Sequence, residues 1–430
     1  MLSSELFKEI IVENEGYVKS IDEVLPREVE ILDPDSLKRL RKAAILYGVR
    51  RSGKSFILLH MFKLYPSRSL YIDFEDERLQ GIQPEDLEKI WEAFLELKMG
   101  EISGDKGVFL FDEIQNVPAW EKYVRRLVEK KGVAVFCAGS SSRITPKEIH
   151  TSLRGRLWSV EVLPFSFREF AAAKLGKDVS KEMIYGDSKA QIKRLFLEYI
   201  KYGGMPEVVF ARNEFEKKKI IKEYLNSMYF RDMVERYTIK NVPLLDALWN
   251  SLFSSYAAKF SVNSFYKRYK GLLSFSKDTL YEYYHHFLES MLLFEVRKFT
   301  QSSYKKMRNP AKIYLVDHGL ARKVSSENFG RILENVVYIQ LRRKGYDVHY
   351  FEEEDHECDF IAFNGQTLEA YQVTWELTSG NEKREIEGLL VASNYTGAQK
   401  LTILTHDQEE TMNVGGKKIE ILPAWKWLVV

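Results

Sequence analysis

Apolar and polar residues fall into short blocks whose period changes along the chain. Ala43–Tyr47 (AAILY), Ser69–Phe74, Gly107–Phe111 and Val133–Ala138 are near-continuous apolar runs of strand length. Between them, Ser55–Tyr65, Pro84–Lys98 and Trp120–Lys130 read as helices. Strands without polar alternation are buried on both faces, and strand–helix alternation predicts a parallel sheet with helices on both faces. Ahead of this block, Glu5–Val12 and Ser36–Arg41 read as helices.

After Arg156 the pattern changes. Ser166–Leu175, Lys189–Tyr202 and a long charged segment, Lys217–Tyr237, look helical, with a break at Gly203-Gly204-Met205-Pro206. Residues 244–330 read as helices followed by two strands, and from Gly330 as helix, three strands, helix, strand.

Composition narrows the class. The 430 residues are 45% apolar and 29% charged, values of a folded globular chain. Lys plus Arg number 64 and Asp plus Glu 62, a net +2, so any field attracting nucleic acid must be local. The two cysteines, Cys137 and Cys358, cannot form a disulfide framework and suit a reducing cytoplasm. The N-terminus lacks the apolar core of a signal peptide, and no uncharged apolar stretch is long enough to span a membrane.

Gly48-Val49-Arg50-Arg51-Ser52-Gly53-Lys54-Ser55 matches G-x-x-x-x-G-K-[ST], with a strand before it and an apolar helix from Phe56 onward. Such a loop curls backbone N–H groups around phosphates at the positive end of a helix. Lys54 is expected to reach the β and γ oxygens, and the Ser55 hydroxyl to bind Mg²⁺. The strand Gly107–Phe111 ends in Asp112-Glu113, at the edge where open α/β sheets bind ligands. Asp112 is expected to hold Mg²⁺ and Glu113 to polarise the attacking water; this acid pair favours an ATPase over a GTPase or kinase. Ser140, after the next strand, is the expected γ-phosphate sensor. Arg156, in Leu153-Arg154-Gly155-Arg156, is the expected arginine finger, acting within the chain or on a neighbouring copy. Asp73, Glu75 and Asp76 end another strand, line the same edge or are solvated loop acids.

The runs GVRRSGKS, LFDEIQNVPAWEKYVRRL, AGSSSRI and LRGRLWSVEVLPFSFREF, in that order, resemble archaeal and bacterial AAA+-type ATPases that carry a domain of unknown function at their C-terminus. The ending, LPAWKWLVV, is similar too, so the resemblance covers nearly the whole chain. It implies ATP binding and hydrolysis.

Residues 259–312 hold eleven Lys or Arg against four acids, a local excess of seven. Ser261–Tyr269, a turn, Ser276–Met291 and two strands with a basic tip suit a winged helix-turn-helix. Ser276 caps the second helix in this reading. Lys277, Lys305, Lys306 and Arg308 are the expected DNA contacts. Further on, Glu334, Asp359 and Gln372 follow the order of the PD-(D/E)XK nuclease fold, which this region resembles. Gln372 stands where that fold has its second acid and Thr374 where it has its lysine, so a dead or repurposed nuclease is expected.

The expected organisation is a P-loop AAA+-type domain (1–165), a helical lid or linker (166–243), a winged helix (244–328) and a nuclease-like α/β domain (329–430). The expected activity is Mg²⁺-dependent ATP hydrolysis coupled to DNA. Two other readings stand beside it: a nucleotide-gated protein-interaction switch and an ATPase-linked nuclease.

Overall fold

The computed structural model describes the chain apart from residues 1, 23, 99–106, 140–152, 154, 301, 303–308, 324–327 and 430. The chain forms two compact units, Met1–Leu163 and Pro164–Val430.

The first unit is built on β1 (Ala43–Tyr47), β2 (Ser69–Asp73), β3 (Val108–Asp112), β4 (Ala134–Ala138) and β5 (Leu157–Glu161). Their order is β2-β3-β4-β1-β5, and every neighbouring pair is parallel. The apolar runs become strands buried on both sides, and alternate residues feed two cores. Ala43, Ile45, Leu70, Ile72, Phe109, Phe111, Val135 and Cys137 face one core, with the helices Ser4–Ser20, Leu87–Lys98 and Trp120–Arg126. Ala44, Leu46, Tyr71, Val108, Leu110, Ala134 and Phe136 face the other, with the helix Lys54–Leu64. This is the expected α/β architecture of a P-loop fold. Because β4 lies between β1 and β3, the phosphate loop after β1 and the acids after β3 end on the same edge, one strand apart.

The second unit begins with helices, among them Phe167–Leu175, Lys189–Tyr202, Glu214–Ser227 and Val242–Ser254. Ser166 and Glu169 close a capping box on the first of them. The long charged helix expected to reach Tyr237 changes to π-helical geometry at Met228–Glu235. Among the described residues nine strands follow: β6 (Ala258–Phe260), β7 (Leu293–Lys298), β8 (Ala311–Leu315), β9 (Asp347–Glu353), β10 (His356–Phe363), β11 (Leu368–Val373), β12 (Lys400–Thr405), β13 (Glu410–Val414) and β14 (Lys417–Pro423). They form one mixed sheet in the order β13-β14-β12-β11-β10-β9-β7-β8-β6. The parallel pairing of β7 with β9 carries this sheet across residue 328. The segments read as 244–328 and 329–430 therefore share a sheet. Among the described residues, no helix is long and apolar enough to cross a membrane.

Candidate functional site

The phosphate loop leaves β1 at Gly48, where φ is +151° and an added Cβ would lie 2.2 Å from the Val162 carbonyl oxygen. Only glycine fits so close to the chain leaving β5. Gly53 caps the helix Lys54–Leu64 in the left-handed region, φ 96°. The Lys54 ammonium is buried and donates to the carbonyls of Gly48 (3.0 Å) and Val49 (2.8 Å), drawing the loop into a closed ring. Ser52 is fully buried, and among the described residues its hydroxyl has no hydrogen-bond partner. Arg50 is half-buried, whereas Arg51 (φ 65°) and Phe56 are exposed.

Across β4, Asp112 ends β3 and is buried, while Glu113 turns out of the strand at φ 47°. A non-glycine residue in this region stores strain that its surroundings must hold. Here the Glu113 N–H donates to Asp112 Oδ1 at 3.1 Å, and the Gln115 amide donates to the Glu113 carboxylate. Burial pushes the Asp112 carboxyl up to about 6, opposed by a hydrogen bond from Ser55 and reinforced by the charges of Glu113 and Asp73. The Tyr71 hydroxyl donates to Asp112 Oδ2 at 3.2 Å. Asp73 lies directly beside Asp112 in the sheet, and burial raises its carboxyl as well. Ser55 and Asp112 thus meet as two hard oxygen donors in a buried acidic setting. That donor set fits Mg²⁺.

Arg156 sits elsewhere. It precedes β5 at the opposite edge of the sheet, where its carbonyl accepts from Ala43 N–H (2.8 Å) and its guanidinium pairs with Glu129 (2.9 Å). At about 3.3 Å per residue, β1 separates it from Gly48 by roughly 16 Å. Its own chain's phosphate loop is out of its reach from there. Ser140 lies outside the described residues, as do Lys305, Lys306 and Arg308.

In the second unit, Glu334, Asp359 and Gln372 come together. Asp359 N–H donates to the Gln372 side-chain oxygen (3.1 Å), and Asp359 Oδ2 accepts from Val373 N–H (2.9 Å). The centre of the cluster is Lys312, which in the sequence is one more basic residue of the 259–312 stretch. Its buried ammonium lies 3.1 Å from Glu334, 2.9 Å from Asp359 and 2.9 Å from Glu357. Tyr314 donates to Glu334 at 2.7 Å. Burial alone would lower the Lys312 pKa, but Asp359 and Glu334 outweigh it and hold it well above its ordinary value. Burial raises the Glu334 carboxyl, with the Asp359 charge adding to it. Among the described residues, no group of three or more His, Cys, Asp or Glu is arranged to hold a metal ion.

Four of the eleven basic residues in 259–312 are paired with acids. Lys259 meets Glu352, Arg297 meets Glu295 at 2.6 Å, Lys298 meets Glu353 at 3.7 Å, and Lys312 is spent as described. Ser276 does cap the helix Lys277–Glu289. Its solvent face, however, carries Asp278, Glu282 and Glu289 beside Lys277, Tyr281 and His285. The positive face lies one helix earlier, on Val262–Tyr269, where Asn263, Ser264, Lys267 and Arg268 are exposed and Lys270 follows.

Comparison with known proteins agrees with the first unit's architecture. The family described as an AAA domain matches residues 40–171, which span β1 to β5 and both motifs. A family described as a domain of unknown function (DUF8612) matches residues 193–329, the middle of the chain rather than its C-terminal end. The uncharacterized protein MJ1544 of Methanocaldococcus jannaschii is 36% identical over 437 residues, covering 98% of this chain and 95% of that one. An uncharacterized protein of Haemophilus influenzae is 28% identical over 427 residues, covering 95% and 98%. Among solved structures, that of C. elegans PCH-2 aligns with 53% of this chain and 67% of its own at 14% identity and a TM-score of 0.28. Residues 40–171 thus have the fold and the sequence of an AAA domain. The chain belongs to the same family as MJ1544.

Proposed function

We propose that the first unit binds and hydrolyses ATP with Mg²⁺. The observation that carries this reading is the meeting of Ser55 and Asp112 beside the phosphate loop, with Glu113 at the same sheet edge. Gly48 to Phe56 would wrap the phosphates, with Lys54 exchanging its loop carbonyls for phosphate oxygens. Ser55 and Asp112 would hold Mg²⁺, which when bound neutralises charge on the phosphate oxygens. Glu113 would orient a water and take its proton as it attacks the terminal phosphorus, releasing phosphate and ADP. Arg156 would serve a neighbouring copy, consistent with its place at the far edge. The test is ATP turnover by the wild type, Lys54→Ala and Glu113→Gln: the first variant should lose nucleotide binding, the second turnover alone.

For the second unit we propose that ATP turnover is coupled to DNA through the exposed basic face of Val262–Tyr269, the first helix of the winged-helix reading. A second reading, ATP-gated contact with a protein, is favoured by the pairing of Lys259, Arg297, Lys298 and Lys312 with acids. Turnover measured at low salt with single-stranded, duplex and branched DNA separates the two. An unchanged rate with no detectable binding favours the protein partner.

A further inference from the structure

Arg27 lies in the irregular segment between the helices Ser4–Ser20 and Pro34–Leu40, outside any motif. Its guanidinium spans two places that chain order keeps far apart. Nη1 donates to the Ser52 carbonyl, inside the phosphate loop, at 2.7 Å. Nη2 donates to the Leu163 carbonyl, the last residue of the first unit, at 2.7 Å. A planar fork with fixed donor spacing can hold both; a lysine ammonium, a single donor centre, is a poor substitute.

The Ser52 contact bears on phosphate binding through the peptide plane. In a trans peptide the N–H points away from the preceding C=O. Fixing the Ser52 carbonyl toward Arg27 therefore fixes the direction of the Gly53 N–H, one of the donors a phosphate loop offers. The other arm acts where the chain leaves the sheet. There Val162 N–H donates to the Tyr47 carbonyl (2.8 Å), and the Val162 carbonyl closes against Gly48. The first residue of the phosphate loop and the last residues of the unit are already in atomic contact, and Arg27 ties a second point of the loop to the same exit.

We propose that Arg27 is a positioning residue with two linked tasks. It presets the Ser52–Gly53 peptide for phosphate, and it makes the conformation of the exit segment 162–164 depend on phosphate in the loop. This rests on the ATPase reading above. Arg27 contributes to nucleotide binding in ground and transition states alike, so its loss raises KM and leaves kcat nearly unchanged.

The experiment compares wild type, Arg27→Met, Arg27→Lys and Lys54→Ala in the full-length protein. It reads affinity for a fluorescent ATP analogue, KM and kcat for ATP, the urea midpoint without nucleotide, and amide exchange at 162–165 with and without analogue. Arg27→Met should bind the analogue about tenfold or more weaker, the scale of a lost hydrogen bond to a charged group. Its kcat should persist, and even at saturating analogue its exit amides should no longer respond. Arg27→Lys should regain part of the affinity but not the exit response. Wild-type affinity and wild-type exchange in Arg27→Met would overturn the proposal. So would a loss that follows the urea midpoint and is not rescued at all by Arg27→Lys, since that marks a merely structural strap. If Arg27→Met does not fold, Arg27→Lys decides: affinity and exit response both equal to wild type would overturn it. Failure of the ATPase reading looks different, because the wild type would then bind analogue no better than Lys54→Ala.

Discussion

Each unit buries a cluster of carboxylates, and the two clusters differ in where their positive charge comes from. In the second, Glu334, Asp359 and Glu357 converge on the ammonium of Lys312, supplied from β8. In the first, Asp112 and Asp73 lie side by side with Glu113 next in sequence, and burial raises both aspartates. A buried charge is tolerable when it is paired and costly when it is not. The second cluster is therefore held by a lysine from its own chain, whereas in the proposed reading the first takes a cation and a phosphate chain from outside. A row of acids in sequence could not distinguish the two; the position of one lysine does.

The largest expected effect separates the clusters by activity. Glu113→Gln should lower kcat by about 10²- to 10⁴-fold, the usual weight of a general base, while binding of an ATP analogue stays close to wild type. Asp359→Asn should leave turnover unchanged. Phosphate-release kinetics on both variants would break the comparison if Asp359→Asn were the slower enzyme.

Stability should respond in the reverse sense. Lys312→Met leaves three carboxylates around an apolar stem, and breaking a buried pair costs on the order of 3–5 kcal/mol, read as a shift in the urea midpoint. Because Lys312 is held above its ordinary pKa, its contribution is fully present at neutral pH and is lost only as pH rises through the folded value. The deficit should grow as pH rises from about 7 to 9, because the Glu334 carboxyl, already raised by burial, must ionise there without its lysine. A midpoint within error of wild type would mean that the cluster does not depend on its lysine.

Asp112 should show the opposite sign. Its folded pKa, about 6, lies above the ordinary carboxylate value, so at intermediate pH the folded chain holds a proton that the unfolded chain releases. Stability then falls as pH rises through that window, and the ionised carboxylate is a liability at neutral pH. Without nucleotide, Asp112→Asn should be more stable than wild type at pH 8, by an amount on the order of 3 kcal/mol at most. The gain should vanish below about pH 4. Thermal melts across pH check this, and a destabilised Asp112→Asn at pH 8 would contradict the assignment.

The smallest effect concerns the outer surface. Lys267→Ala and Arg268→Ala should each reduce the salt dependence of DNA binding by about one phosphate contact. No change in either would leave the protein-partner reading of the second unit.

The sequence made the phosphate loop and Asp112-Glu113 legible because each is contiguous and sits at the end of an apolar strand. Strand alternation likewise announced the parallel sheet. Features that depend on distant pairing were not legible. Lys312 meets Glu334 and Asp359 across 22 and 47 residues, and Arg27 meets Leu163 across 136. The basic excess of 259–312 is partly neutralised by Glu352, Glu353 and Glu357, acids of β9 and β10 that lie 40 or more residues further along the chain. The hairpin β13–β14 was not legible either, because its first strand, ETMNV, is a largely exposed edge with no apolar run.

The most direct measurement counts Mn²⁺ bound per chain by electron paramagnetic resonance, with a slowly hydrolysed ATP analogue present. The account predicts one ion, retained in Asp359→Asn and lost or greatly weakened in Asp112→Asn. An ion that survives Asp112→Asn and disappears in Asp359→Asn would place the open cation site in the other unit and contradict it.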